Sequence, residues 1–379
     1  MTRVFIIAGE ASGDVLGARL MAALRAQRPD IAFTGIGGAH MAEAGLVSQF
    51  PMQELAVMGL AEILPRIFLL RRRLAETVAA IQASPPDIVV TIDSPGFCLR
   101  VLRAISGTGI RRVHYVAPQV WAWRPDRVKH FPGLWDRLLC LLPFEPAFFA
   151  QYGLNPVFTG HPVLESGADL GDAARFRAQH HIAPDAVPVV LMPGSRVTET
   201  TRLLPIFRQT MALLSTTIPH LQPVLAAGAG IASAVAAQTM DWPAPPIIVR
   251  DASTRYDTFA AAQAALTKSG TSTLELAMAG VPMAVTYRIN PLSAAIAKRL
   301  IKVEHVAMIN LLAGHALVPE LLQQDCAPEK LAVMLHTLLT DPKMAAAQRA
   351  GYAAALAALR APSGLPSAAA AAEILSLHP

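Results

Sequence analysis

Short runs of consecutive apolar residues recur along the chain, each followed by a polar, glycine-containing loop and then by apolar positions at helical spacing. The first third reads RVFIIA at 3–8, a helical stretch GDVLGARLMAALRAQ, IAFTGIGG, then DIVVTID at 87–93 and RVHYVAP at 112–118. The rhythm returns with VPVVLMPGS at 187–195, PVLAAG at 223–228, PIIVR at 246–250, AALTKSG at 264–270 and PMAVTYR at 282–288. Strands that are apolar throughout and alternate with helices predict parallel sheets covered on both faces, an α/β fold. Between the two series, GHPVLESGADLGD at 160–172 breaks the pattern before a helix near Ala173. The expected division is therefore a first domain over 1–167, a second over 168–343, and Ala-rich helices over 344–379, interrupted by PSGLPS at 362–367.

Length agrees with this division, since 379 residues suffice for two domains that each bury a core. With 53% apolar and 16% charged residues the chain is neither disordered nor solvating. No apolar run reaches the roughly 18 residues of a spanning helix. The nearest, LAVMGLAEILPRIFLL at 55–70, is broken by Glu62, Pro65 and Arg66. The N-terminus MTRVFIIAGEASGD passes from strand to polar loop without a signal-type apolar region, which predicts residence in the cytoplasm. Cys98, Cys140 and Cys326 are far apart and without CxxC spacing, so they read as core residues of a reducing compartment rather than zinc ligands. The net charge of +5 comes without Lys/Arg blocks of five or more and points to an acidic partner: phosphate, nucleotide or anionic lipid.

Parallel α/β sheets bind ligands beyond the carboxyl ends of their strands, so the polar loops after strands are the places to look. In SGTSTLELAMAGVP at 269–282, Ser269, Gly270, Thr271 and Ser272 open a helix of about two turns closed by Gly280 and stopped by Pro282. Unpaired amides there can hold a diphosphate, and Glu275, one turn beyond Thr271, can reach a ribose diol. The alternative is a capping arrangement in which Glu275 reaches back to a backbone N–H. Pro193, Gly194, Ser195 and Arg196 form a second anion-suited loop, with Glu199 opening the next helix. The loop IIAGEASGDVLG at 6–17 has glycines at 9, 13 and 17, not the GxGxxG spacing, so NAD is disfavoured. Its Glu10, Ser12 and Asp14 suit sugar hydroxyls, or Ser12 serves as an N-cap.

Asp93 ends an apolar strand just before a Ser-Pro-Gly turn. Two readings stand: a base with a raised pKa, or an Asx-turn bonding the backbone of Pro95 and Gly96. The stretch HYVAPQVWAWRPDRVKH at 114–130 crowds Trp121 and Trp123 with basic residues, but as one short segment it favours aromatic packing at a domain interface over nucleic acid. Finally, in MGLAEILPRIFLLRRRLAE at 58–76 apolar residues interrupted by polar ones are followed by Arg71, Arg72 and Arg73, as in a core-facing or membrane-interface helix.

Taken together, GEASGD at 9–14, ELAVMG at 54–59, IDSPGF at 92–97, HYVAPQVWAWR at 114–124, LPFE at 142–145, GHP at 160–162, PGSR at 193–196, SGTSTLE at 269–275 and NLLAG at 310–314 closely resemble the bacterial lipid-A-disaccharide synthases. The resemblance runs from about residue 3 to 340, with one departure: Ile309 precedes Asn310 where the family usually has proline. It implies a GT-B glycosyltransferase of two Rossmann-like domains facing across a cleft, acting without metal or other cofactor. The implied substrates are UDP-2,3-diacylglucosamine and 2,3-diacylglucosamine 1-phosphate, joined as a β-1,6 disaccharide with inversion and release of UDP.

By the same resemblance Asp93 is the base, and Ser195, Arg196, Ser269, Gly270, Thr271, Glu275 and Asn310 hold UDP. Glu10, Ser12, Gly13 and Asp14 line the acceptor side, and Met58, Leu64, Ile67 and Arg71 to Arg73 contact acyl chains and the inner face of the cytoplasmic membrane. Relatives of this fold return the last helix to the first domain, and some exchange C-terminal parts, which admits a homodimer. Two rivals are a UDP-sugar 2-epimerase of the same architecture and a non-catalytic lipid or nucleotide carrier.

Overall fold

The computed structural model describes residues 1–55, 60–290, 294 and 300–378. They divide into two compact units, Met1–Pro162 with Leu359–Pro379, and Val163–Ala358.

In the first unit, β1 (Arg3–Ala8), β2 (Ala32–Ile36), β3 (Ile88–Ile92), β4 (Arg111–Tyr115), β5 (Arg137–Cys140) and β6 (Pro156–Phe158) form one sheet in the order β2-β1-β3-β4-β5-β6. Every neighbouring pair is parallel. All five residues of β3 are buried, as a central strand covered on both faces requires. From β1 the chain moves outward to β2 and then returns to the other side, so the switch in strand order lies between β1 and β3. Open sheets bind ligands at such a point, where the following loops diverge and leave a crevice.

The second unit repeats the plan with β7 (Val187–Met192), β8 (Leu221–Ala226), β9 (Ile247–Val249), β10 (Ala264–Lys268), β11 (Met283–Tyr287) and β12 (Glu320–Leu322), ordered β12-β11-β10-β7-β8-β9. These pairs are parallel as well, and here the order reverses between β7 and β10. Strands β5, β6 and β12 were not among the sequence-predicted ones. They have four, three and three residues, too few for a periodic signal.

The division falls at 162/163, where the sequence predicts 167/168. It also splits the Ala-rich end. The Pro342–Ala357 helix stays in the second unit, where Gln348 exchanges two hydrogen bonds with the Met283 backbone and the Tyr352 hydroxyl donates to Val281 O. The Pro366–Leu375 helix belongs to the first, where Ala370, Ala371 and Ile374 join the core around Leu20 and Leu24 of the Ala11–Gln27 helix. Small residues let these two helices approach closely. All three cysteines are buried.

Candidate functional site

The first crevice is built by the loops after β1 and β3. Asp93 and Ser94 follow β3 with φ of 48° and 44°, a left-handed pair of non-glycine residues, and Pro95 then starts the Pro95–Ala104 helix. Such backbone persists only where surrounding structure enforces it, and it gathers at functional sites. The Asp93 amide donates to Tyr115 O at 2.9 Å, which fixes the turn to β4. Val116, next in β4's loop, has φ 76°, unusual for a β-branched residue. Burial pushes the Asp93 carboxyl up, with the Ser94 amide opposing it. No hydrogen bond from Asp93 to the Pro95 or Gly96 backbone appears among the described residues.

Gly9 packs directly on Ser94, so the β1 loop lies beside Asp93. That loop continues into the Ala11–Gln27 helix with Glu10 at the N-cap position, leaving Ser12 exposed in the first turn rather than capping. Gly13 lies against Ala8 and Ile92, which seats the helix on the sheet. Asp14 does not face the crevice. It is buried, and its carboxylate accepts from the amides of Gly38, His40 and Met41 at 2.7, 3.0 and 3.1 Å, capping the Ala39–Glu43 helix.

The second crevice is flanked by the loops after β7 and β10. Ser195 N donates to Glu199 Oε2 at 3.1 Å, and Arg196 Nη1 to Glu199 Oε1 at 3.3 Å. Lys268, at the end of β10, donates to the same Oε1 at 2.9 Å, so the two loops meet on one carboxylate. Burial works to raise the Glu199 pKa, but Lys268, Ser195 N and Arg196 bring it below the ordinary value.

Thr271 takes the N-cap position of the short Ser272–Met278 helix without a side-chain cap bond. Glu275 does not reach back to that helix start; it pairs with Arg255 and accepts from the Tyr256 hydroxyl at 3.3 Å. Ser269 Oγ donates to Val306 O.

Asn310 is also not a lining residue. It is fully buried, with Nδ2 donating to Val318 O and Glu320 Oε1 and Oδ1 accepting from Val318 N. Glu320 holds the amides of Val306 and Ala307, so Asn310 stiffens the segment on which Ser269 leans. Lys268, Arg255 and Tyr256 were missed in the sequence; only Lys268, a cation at a strand's carboxyl end, left a signal there.

Met58 and the side chain of Leu64 lie outside the described residues. On the Leu60–Ala83 helix, Ile67 is half-buried, Phe68 is 79% exposed, and Arg71 and Arg72 are exposed. Arg73 is different: only 17% exposed, it pairs with Glu54 and Glu76 at 2.6 Å each and lies over the Phe50 ring. Trp121 packs within the first unit, donating to Glu145 at 3.1 Å, while Trp123 is exposed under Arg124. No helix among the described residues is long and apolar enough to cross a membrane.

Comparison with known proteins bears on what these crevices do. The family described as lipid-A-disaccharide synthetase matches residues 4–374. The lipid-A-disaccharide synthase of Granulibacter bethesdensis is 58% identical over 385 residues, covering 99% of this chain and 98% of its own. That of Gluconobacter oxydans is 59% identical over 374 residues, covering 99% and 90%. Among solved structures, the UDP-GlcNAc 2-epimerase from Neisseria meningitidis bound to UDP-GlcNAc superposes with TM-score 0.66 at 12% identity, covering 100% of both chains. A spinosyn rhamnosyltransferase complexed with thymidine diphosphate gives TM-score 0.61 at 14%, covering 99% and 100%. At such identities the structural likeness concerns the fold alone, two Rossmann-like units of the kind seen in GT-B glycosyltransferases. Identity above half over nearly the whole length is another matter, and by it the chain belongs to the lipid-A-disaccharide synthase family of glycosyltransferases.

Proposed function

We propose that the chain transfers 2,3-diacylglucosamine from its UDP carrier to the 6-hydroxyl of 2,3-diacylglucosamine 1-phosphate, inverting the anomeric carbon. The products are the β-1,6 disaccharide 1-phosphate and UDP. Family membership supports the reaction. The observation that carries its residue assignment is Asp93, held in a strained turn at the first switch point with its carboxyl raised by burial. A carboxylate raised toward neutrality is a stronger base. Asp93 takes the proton of the 6-hydroxyl, the freed oxygen attacks the anomeric carbon, and the bond to the diphosphate breaks with its electron pair leaving on UDP.

Arg196 and the amides at Gly270 and Thr271 stabilise that charge, with Ser195 and Ser269 shaping the two loops. Glu275 takes the ribose diol. An ionised carboxylate has about four acceptor sites, so its bonds to Arg255 and Tyr256 leave room. Glu10 and Ser12 serve the acceptor sugar. Both substrates carry acyl chains, so the inner-membrane surface is the proposed partner of Phe68, Arg71 and Arg72, and a second copy of the chain is the proposed oligomeric partner.

Incubation of the chain with both diacylated substrates, followed by mass spectrometry, tests the reading. UDP and a disaccharide 1-phosphate are the expected products. Folded protein that forms neither rejects it, and an epimer formed from UDP-N-acetylglucosamine supports the epimerase rival instead.

A further inference from the structure

Lys268 closes β10, still paired with Thr286 of β11, while the register sets Thr267 opposite Met192 at the end of β7, so on the β7 side Lys268 lies beyond the strand at the mouth of the second crevice. Its ammonium crosses to the neighbouring loop and meets Glu199 at 2.9 Å. The loop is moulded on that carboxylate: Gly194 has φ +115°, and a Cβ on it would stand 3.0 Å from Glu199 Cβ and closer still to Oε2. Both partners are largely covered, the lysine side chain 21% exposed and the glutamate 11%.

The charges do not balance. One carboxylate oxygen serves both Arg196 and Lys268. Lys268 Nζ also sits 5.6 Å from the Tyr287 ring centre. Two cations against one carboxylate leave positive charge in excess where the two loops converge, and a largely covered ammonium favours a second anion. Across the same mouth Gly270 has φ +154°, and a Cβ there would meet nothing within 4 Å, so its backbone is open to close approach.

We infer that Lys268 is a second cationic contact of the donor's diphosphate, and that Glu199 is the positioning residue that presents Lys268 and Arg196 to it. The inference rests on the second unit being the UDP-sugar site. The two cations have complementary chemistry: the arginine fork fixes oxygen geometry, whereas the ammonium is a compact point charge. As the bond to the sugar breaks, the leaving diphosphate gains negative charge, and an ammonium already held in place stabilises it without reorganisation.

The test is calorimetric binding of UDP, and of uridine by competition, to the wild-type chain and to Lys268→Met, Lys268→Arg and Glu199→Gln, each shown to keep its fold by thermal melting. Lys268→Met should lose about tenfold or more in UDP affinity with uridine unchanged, and Lys268→Arg should recover most of it. Glu199→Gln should lower kcat about tenfold while KM for the donor moves less than threefold, since the cations remain but lose their fixed geometry. Wild-type UDP affinity in Lys268→Met, or equal losses for UDP and uridine, overturns the inference; so does wild-type kcat in Glu199→Gln. Lys268→Gln replaces Lys268→Met should the latter not fold. Product formation by the wild-type chain checks the underlying reading separately. If the wild type makes no disaccharide while Lys268→Met still weakens UDP alone, the transfer reading fails and the phosphate contact stands. A wild type that binds no UDP overturns both.

Discussion

Ser94 occupies the space that a side chain on Gly9 would need: a Cβ there would stand 2.7 Å from Ser94 Cβ and closer still to Oγ. Two loops from adjacent strands therefore interlock, and the one carrying Asp93 is set by the one carrying Glu10 and Ser12. Gly9→Ala should push Ser94 and the strained turn outward, costing roughly 1–3 kcal/mol of stability as overpacking does. Turnover should fall more than tenfold in protein that still melts cooperatively. Adding Ser94→Gly removes the obstructing atoms and suits φ 44°, so the double variant should regain activity. Kinetics of the three variants decide it; no rescue means the interlock does not govern the turn.

Asp93→Asn keeps the shape of the turn and removes the base. Loss of a general base typically costs 10²–10⁴-fold, so kcat should drop by roughly 10³ with UDP affinity nearly kept. Because burial raises the Asp93 carboxyl, the acid limb of kcat/KM in the wild type should bend above the ordinary value of 3.8, and that limb should vanish in the variant. An unchanged turnover, or a limb that persists in Asp93→Asn, removes the assignment.

How much of this could be read in the chain itself varies by residue. RVFIIA and VPVVLM announce buried parallel strands because central strands are apolar on both faces. PGSR and SGTS announce polar loops, and the strand order sets both at one switch point. Contacts at long sequence separation were illegible. Asp14 looks like a sugar ligand within GEASGD until the helix 25 residues later presents three amides to it. Asn310 looks like a ligand residue in NLLAG, but its partners at Val318 and Glu320 are supplied by the following turn and the edge strand β12. The arginine triplet reads as one basic face, whereas a helix turns about 100° per residue. Arg73 consequently points at Glu54 while Arg71 and Arg72 do not.

From the Asp14 geometry follows a stability prediction. Asp14→Ala strips three amides of their acceptor, of which only Met41 N is in a fully buried bond, so the cost of about 1–3 kcal/mol for one buried unsatisfied group is expected, with smaller additions from Gly38 and His40. Asp14→Asn, with one acceptor oxygen left, should fall between. Urea midpoints measure this. Among variants that remain folded the acceptor KM should stay near the wild-type value, and a selective rise in that KM would restore Asp14 to the sugar site.

Arg71 and Arg72 separate from Arg73 in the same way. Reversing the first two to glutamate should weaken sedimentation with anionic vesicles by at least about tenfold, given roughly 1 kcal/mol per basic residue near such a surface. Thermal stability should hardly change. Arg73→Ala should do the opposite, lowering the melting temperature through the lost Glu54 and Glu76 pairs with little effect on vesicle binding. Equal vesicle binding by wild type and the double reversal rules out a membrane role for this face.

His114 and His161 are buried neutral, and burial lowers their pKa to about 3 and about 4. His114 bonds Thr91 Oγ1 at 2.8 Å and stacks on Trp135, and its Nε2 has no partner among the described residues. Unfolded histidines titrate near 6.5. Below that pH the unfolded chain takes up protons that the folded chain refuses, so stability falls by roughly 1.4 kcal/mol per pH unit for each histidine until the folded pKa is reached. Glu145 acts with the opposite sign: burial raises it to about 7 against the pull of its N–H donors, so folding gains as pH falls from there toward 4.5. Asp93, also raised by burial, acts in the same direction as Glu145, so the clean reading is the difference between the wild type and a variant lacking one buried histidine. His114→Phe keeps the stack on Trp135 and removes one titration, so between about pH 6.5 and 4.5 its stability should fall less steeply than that of the wild type, by roughly 1.4 kcal/mol per pH unit. Equal pH slopes for the two proteins contradict the burial of a neutral imidazole at His114.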